Sequence, residues 1–278
     1  MVLTTGASLS DARTTRCRAI QTAPDTTCLG RTVRHVTVGD TRILLDVSAS
    51  ELARRLDGAR LAASRRHGKH LLVGLQPPGW LTLHFGMNGS LSHFAKGESD
   101  PLYDRVRFDF ADGHHLAYVN PRLFGEVGLA SDADAFIAEE GLGPDALDPQ
   151  FDFTAFDRAL AGRKRDVKSL LIDQAVIAGI DNIYSDKILF QARIHPRTRA
   201  DRLTAETKRC LFSCIKQVLQ TAVDAGAERL VDRLPKAFFI PHRQRGARCP
   251  RCGAEVETVR LSGRTAYYCP RCQPDPGQ

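Results

Sequence analysis

Between residues 31 and 129 the hydrophobic positions fall in short runs, several alternating with polar residues, and Gly, Pro and Asp separate one run from the next. Alternation at period two marks a strand with one buried face. It predicts strands over residues 33–38, 70–75, 80–85, 105–110 and 115–119. One helix interrupts them at 50–56, with Ser48 or Ser50 as its N-cap. The reading is a β-rich sandwich or barrel. Residues 140–152 (EGLGPDALDPQFD) concentrate Gly, Pro and Asp, and beyond them the apolar spacing turns helical. Helices are predicted over 154–161, 168–177, 182–192 and 204–225, the last opening on the capping sequence Thr204-Ala-Glu-Thr. The expected organisation is an α+β multidomain chain: an atypical N-terminus (1–28), a β-rich domain (29–139), a helical domain (150–235) and a small cysteine module (240–274).

Charge adds a partner class. Lys and Arg number 39 against 32 acids, the net charge is +7 and the pI is near 9.1. That balance suits a polyanion without naming one. No apolar run reaches the roughly 18 residues a spanning helix needs, and the start lacks a secretory pattern, so a cytosolic protein is expected. Four of the eight cysteines sit in two tight pairs near the C-terminus, which favours metal over disulfides. Cys17, Cys28, Cys210 and Cys214 read as free thiols.

The pairs are Cys249-Pro-Arg-Cys252 and Cys269-Pro-Arg-Cys272, sixteen residues apart. Two such turns at the ends of a hairpin can present four thiolates to one tetrahedral ion. Strands at 255–261 and 264–268 around a Ser262-Gly263 turn would form that hairpin. Four thiolates leave no open position, so the zinc is expected to be structural, and in so small a module it supplies much of the folding energy. Arg245, Arg248, Arg251, Arg260, Arg264 and Arg271 flank the cysteines and suit phosphate.

The stretch from Lys168 to Pro196 holds an apolar helix, a turn over 179–182 and a second helix. Taken alone it could be any helical hairpin, or a helix N-terminus and Asn side chain offered to a phosphate. Its run DQAVIAGIDNIYSD, followed by ARIHP, together with the cysteine module and its Gly263-Arg264-Thr265, resembles the formamidopyrimidine-DNA glycosylase / endonuclease VIII family. The resemblance continues upstream in order and spacing: RRHGKHL from Arg65, LHFGMNGSL from Leu83, YDRVRFDF from Tyr103 and NPRLFG from Asn120. It covers residues 29–272.

The resemblance implies a monomeric base-excision-repair enzyme acting on double-stranded damaged DNA: a bifunctional glycosylase and abasic-site lyase for oxidised bases, with structural Zn2+ at Cys249, Cys252, Cys269 and Cys272. It implies Lys69 as a supporting catalytic and phosphate-contacting residue. Met87, Arg122 and Phe124 would fill the gap left by an extruded nucleotide, offsetting a few kcal/mol of unstacking. Tyr103 belongs to the same DNA-contacting set, and Lys168, Asn182 and Arg264 to a phosphate clamp. Departures are Leu123 for a second arginine, Asp181 for a glycine, Lys187 for an acid, and a shortened stretch between Asp232 and Arg248 that bears on lesion choice.

The family's nucleophile is an N-terminal proline followed by glutamate, in Met-Pro-Glu-Leu-Pro. This sequence begins Met1-Val-Leu-Thr and contains no such string. Counting back from Leu29 places that start at residues 11–18, DARTTRCR. The second codon bases of those residues (A, C, G, C, C, G, G, G) are the first bases of Met-Pro-Glu-Leu-Pro-Asp-Val-Glu. The first 25 or so residues therefore read as the family start in another frame; the alternative is an unrelated extension. In either case a second class stands beside the enzyme, a catalytically disabled protein that binds damaged DNA. A third is a zinc-ribbon nucleic-acid protein with an unrelated β domain.

Overall fold

The computed structural model describes residues 28–224 and 243–275. The N-terminal readings, including Cys17, and most of the shortened stretch lie outside those residues. The described residues fall into two compact units, one holding residues 28–66 and 70–133, the other 67–69 and those from 134 onward. Among the described residues no helix is long and apolar enough to cross a membrane.

The first unit is an antiparallel β-sandwich. Strands β1 (Val33–Val38), β2 (Arg60–His67), β3 (His70–Gln76), β4 (Gly79–His84), β5 (Ser90–Ala95), β6 (Asp104–Phe110), β7 (His114–Val119) and β8 (Glu126–Ala130) form two four-stranded sheets ordered β1-β6-β7-β5 and β2-β3-β4-β8. In β6 the alternation predicted from sequence buries Val106, Phe108 and Phe110, and Phe108 and Phe110 lie opposite Val36 and Val33 of β1. Strand β3 is buried at every position but its last. Helix α1 (Ala49–Leu56) is capped by Ser48, whose hydroxyl accepts from the Glu51 N–H, and it buries Leu52 and Leu56.

The second unit is helical: α2 (Ala133–Glu139), α3 (Phe153–Leu160), α4 (Val167–Ile172), α5 (Asn182–Ala192) and α6 (Ala205–Asp224) precede a hairpin of β9 (Glu257–Leu261) and β10 (Arg264–Tyr268). Phe151, Phe156 and Phe212 pack edge-to-face or tilted, with ring centroids 5.5–6.5 Å apart, and tie α3 to α6. Thr204 caps α6 by accepting from the Thr207 N–H at 3.1 Å. Helix α4 stops at Ile172, five residues before the predicted end. The Gln174 side chain replaces the helical ladder there: its amide donates to the carbonyls of Ile172 and Ile180 (2.9 Å each) and its oxygen accepts from the Gly179 N–H (3.0 Å). Gly179 turns at φ +105°, a conformation that favours glycine.

Candidate nucleic-acid interface and metal centre

In the sandwich, three loops carry Met87, Tyr103, and Arg122 with Phe124. Asn120 holds them together. It is buried; its side-chain amide donates to Phe85 O (3.3 Å) and Tyr118 Oη (3.2 Å), its N–H donates to Tyr103 O (3.1 Å) and its carbonyl accepts from Arg105 Nε (3.0 Å). The Met87 turn is closed by Gly89 N–H donating to Phe85 O at 2.8 Å. Gly86, at φ +56°, and Gly125 are packed so tightly that a Cβ would collide with the Phe124 backbone and with Tyr118 Oη respectively. Tyr103 and Phe124, each 54% exposed, are two of the three exposed large hydrophobic residues among those described. Both rings stand on the surface of pinned loops and not in the core. The Arg122 guanidinium lies 5.1 Å from the Phe124 ring centroid and that of Arg105 5.6 Å from Tyr103. Tyr103 and Leu123 both sit at positive φ (+65° and +56°), local strain of the kind that collects at functional loops.

In the helical unit, Lys69 follows Gly68, whose N–H donates to the buried Asp145 carboxylate at 2.5 Å while Leu147 N–H donates to the other oxygen at 2.7 Å. Sequence reasoning missed Asp145, which lies in the Gly-Pro-Asp stretch read only as a boundary. Asn182 opens α5, and its side-chain amide reaches Thr265 O of β10 at 3.4 Å. Arg264, beside Thr265, is exposed. Asn182 is thus placed against the strand that carries Arg264. Lys168 is placed otherwise: it has no exposed surface, and its ammonium donates to Asp186 (2.5 Å), Ser185 Oγ (2.9 Å) and Asn182 O (3.2 Å). Burial pushes its pKa down, against the pull of Asp186. A direct phosphate contact from Lys168 would require breaking this ion pair. Asp181, read from sequence as a departure, is the N-cap of α5; its carboxylate accepts from the N–H groups of Ile183 and Tyr184 at 2.8 Å each. The helix N-terminus suggested for phosphate is thus already occupied by a carboxylate, which leaves the Asn182 side chain as the donor there.

The cysteine sulfurs of Cys249, Cys252, Cys269 and Cys272 all lie within 4.8 Å of one another. The pairs Cys249–Cys272, Cys252–Cys272 and Cys252–Cys269 are 3.8, 3.6 and 3.5 Å apart. Tetrahedral zinc with bonds of about 2.3 Å has sulfur–sulfur edges of about 3.8 Å. The donor set fits structural zinc. The Ala254 amide stabilises the Cys252 thiolate and lowers its pKa to about 7. The hairpin docks on α5: Phe190 shares a buried cluster with Cys249, Val256 and Cys269, and Arg251 stacks 4.2 Å over the Phe190 ring while donating to its carbonyl at 2.7 Å. Arg251, grouped with the phosphate-suited arginines, is therefore used internally. Among the remaining thiols Cys28 and Cys214 are buried and Cys210 is exposed.

Three family profiles match: the formamidopyrimidine-DNA glycosylase N-terminal domain over residues 17–127, the formamidopyrimidine-DNA glycosylase H2TH domain over 142–233, and the zinc finger found in FPG and IleRS over 246–274. The chain is 35% identical over 253 residues to a formamidopyrimidine-DNA glycosylase of Laribacter hongkongensis, covering 88% of this chain and 93% of the relative. It is 35% identical over 238 residues to that of Acaryochloris marina, covering 79% and 84%. Its fold is similar to that of Lactococcus lactis FPG (MutM) in complex with FAPY-dG-containing DNA (TM-score 0.84, 24% identity, 94% of this chain and 99% of that one). A MutM complex with carbocyclic 8-oxo-G-containing DNA is similar too (TM-score 0.85, 25% identity, 94% and 99%).

Proposed function

The chain belongs to the formamidopyrimidine-DNA glycosylase family, and from that premise we propose that it is a base-excision-repair protein that binds duplex DNA around an extruded, oxidised nucleotide. The observation that carries the reading is the meeting of Asn182 with Thr265 beside the exposed Arg264, which ties the helical motif to the metal hairpin. Arg264 and the Asn182 amide donate to successive phosphates, and Lys69 supports the sugar-phosphate at the lesion. Met87, Arg122 and Phe124 occupy the vacated stack, with Tyr103 beside them; their loops are pinned before DNA arrives, which lowers the ordering cost of binding. Lys168 serves through α5, whose first turn it holds. Zn2+ keeps the hairpin folded, and the protein acts as a monomer.

The chemistry that membership of the family implies is that of a glycosylase and abasic-site lyase. An amine suits it because it attacks the sugar C1′, releases the base and, as an imine, permits elimination of the phosphates. A second reading, damaged-DNA binding without that chemistry, is favoured by the lack of a Met-Pro-Glu string in the sequence. Two measurements test the pair of readings. Titration of a duplex carrying a tetrahydrofuran abasic analogue is expected to show binding at least tenfold tighter than to the undamaged duplex; equal affinities would overturn the repair assignment. Borohydride trapping on an abasic-site duplex is expected to be weak for this chain, and efficient trapping would instead establish the active enzyme.

A further inference from the structure

Asp186 lies inside the helical unit, 2% exposed, and three elements converge on it. One carboxylate oxygen takes the ammonium of the wholly buried Lys168 on α4. The other takes Arg243, which approaches at 3.1–3.2 Å through two guanidinium nitrogens. Tyr267 of β10 adds its backbone N–H. Arg243 in turn donates to Thr265 O at 3.1 Å, the same carbonyl that the Asn182 amide reaches at 3.4 Å, and stacks 5.0 Å from the Tyr267 ring centroid. A second tie runs parallel, Ser169 Oγ to Ser262 Oγ at 2.6 Å, from α4 to the hairpin turn.

One acid between two buried or half-buried cations has a specific consequence. Removing either cation, or the acid, leaves a charge without its partner in a poorly solvated place, so the arrangement tolerates one geometry and resists sliding. That geometry fixes the first turn of α5, where Asn182 stands, against the strand that carries Arg264. We propose that Asp186 is a positioning residue: a buried latch between α4, α5 and the metal hairpin that sets the spacing of Asn182 and Arg264 and passes the metal occupancy of the hairpin to the first turn of α5. Asp186 itself touches no DNA. This inference deepens the DNA-binding reading and rests on it for its use, while the latch can be observed without DNA.

The sign of one effect separates positioning from bulk charge. Asp186→Asn makes the protein more positive, and charge alone predicts tighter binding to a polyanion. The latch predicts the opposite, an affinity for the tetrahydrofuran duplex weakened about tenfold, with the slope of log K against log salt shallower by about one phosphate contact and zinc still bound one per chain. Arg243→Lys keeps the charge and loses the fork to Asp186 and Thr265; the side chain is partly exposed, so this variant is expected to fold, and it is expected to weaken binding in the same direction. Unchanged or tighter binding in both variants, with zinc retained, would overturn the latch. Hydrogen exchange supplies the arm without DNA: zinc removal from the wild-type full chain by a chelator is expected to raise exchange at the Ser185 and Asp186 amides at least tenfold. Protection there that is indifferent to zinc would reject the latch whatever the DNA result, whereas a wild-type protein that fails to prefer the damaged duplex would reject only the repair reading.

Discussion

Asp104 stands next to Tyr103 at the start of β6, with one carboxylate oxygen buried and without a hydrogen-bond partner among the described residues. Burial raises its pKa from 3.8 to about 6, outweighing the nearby Arg107. A folded-state pKa above the unfolded one means that folding takes up a proton: the contribution is fully present below about pH 4 and is lost as the pH rises through about 6. Asp104→Asn is therefore expected to be more stable than the wild type at pH 8, by about 1 kcal/mol once the full linkage is discounted for a half-exposed group, and equal to it near pH 4. Denaturant titrations of both proteins at the two pH values check this; a difference independent of pH would count against the assignment. The same contrast between surface reading and buried fact explains Lys168. A lysine in the first turn of a helix reads as solvated, and its partner Asp186 lies eighteen positions on, so only the packing of α4 on α5 reveals the pair.

At the scale of elements, legibility followed the burial pattern. The alternating β6 and the apolar β3 and β4 were visible because most of their buried positions are hydrophobic. Strands β2 and β5 were not. The sequence RLAASRRH buries one residue, Leu61, and SLSHFA likewise one, Phe94; pairing with neighbours, not apolar periodicity, makes them strands. Helices with caps were found at nearly their true bounds, and α4 ended early because a glutamine side chain, Gln174, ended it. The metal site was legible in full, since spacing alone fixes four thiolates. What the spacing could not supply is the hairpin's dependence on α5, through Phe190. Phe190→Ala leaves all four ligands in place, yet it empties a buried ring from the apolar cluster that Cys249, Val256 and Cys269 share with α5. Stability of the module is expected to fall by about 3–5 kcal/mol, and a chromophoric chelator should strip zinc from the variant several times faster than from the wild type. Equal rates would mean that the hairpin holds its metal without α5.

For the whole molecule, the net charge of +7 and the exposed aromatic loops are two different devices, and they answer differently to salt. Cations on phosphates release counterions, so each contact appears in the salt slope; rings and thioethers inserted into a base stack release none. Arg264→Gln is expected to weaken binding to damaged and undamaged duplex alike and to reduce the slope by about 0.9. Phe124→Ala and Met87→Ala are expected to leave the slope unchanged, to cost about 1–3 kcal/mol of binding to the duplex carrying the abasic analogue, and to cost little on undamaged DNA, where there is no gap to fill. Damage preference then belongs to the sandwich loops and raw affinity to the hairpin, a division that anisotropy titrations over a salt series can resolve. If the Phe124 variant lost slope rather than preference, the exposed ring would be serving the neighbouring Arg122, 5.1 Å away, as a support for a phosphate contact, and the wedge would have to be sought in Met87 alone.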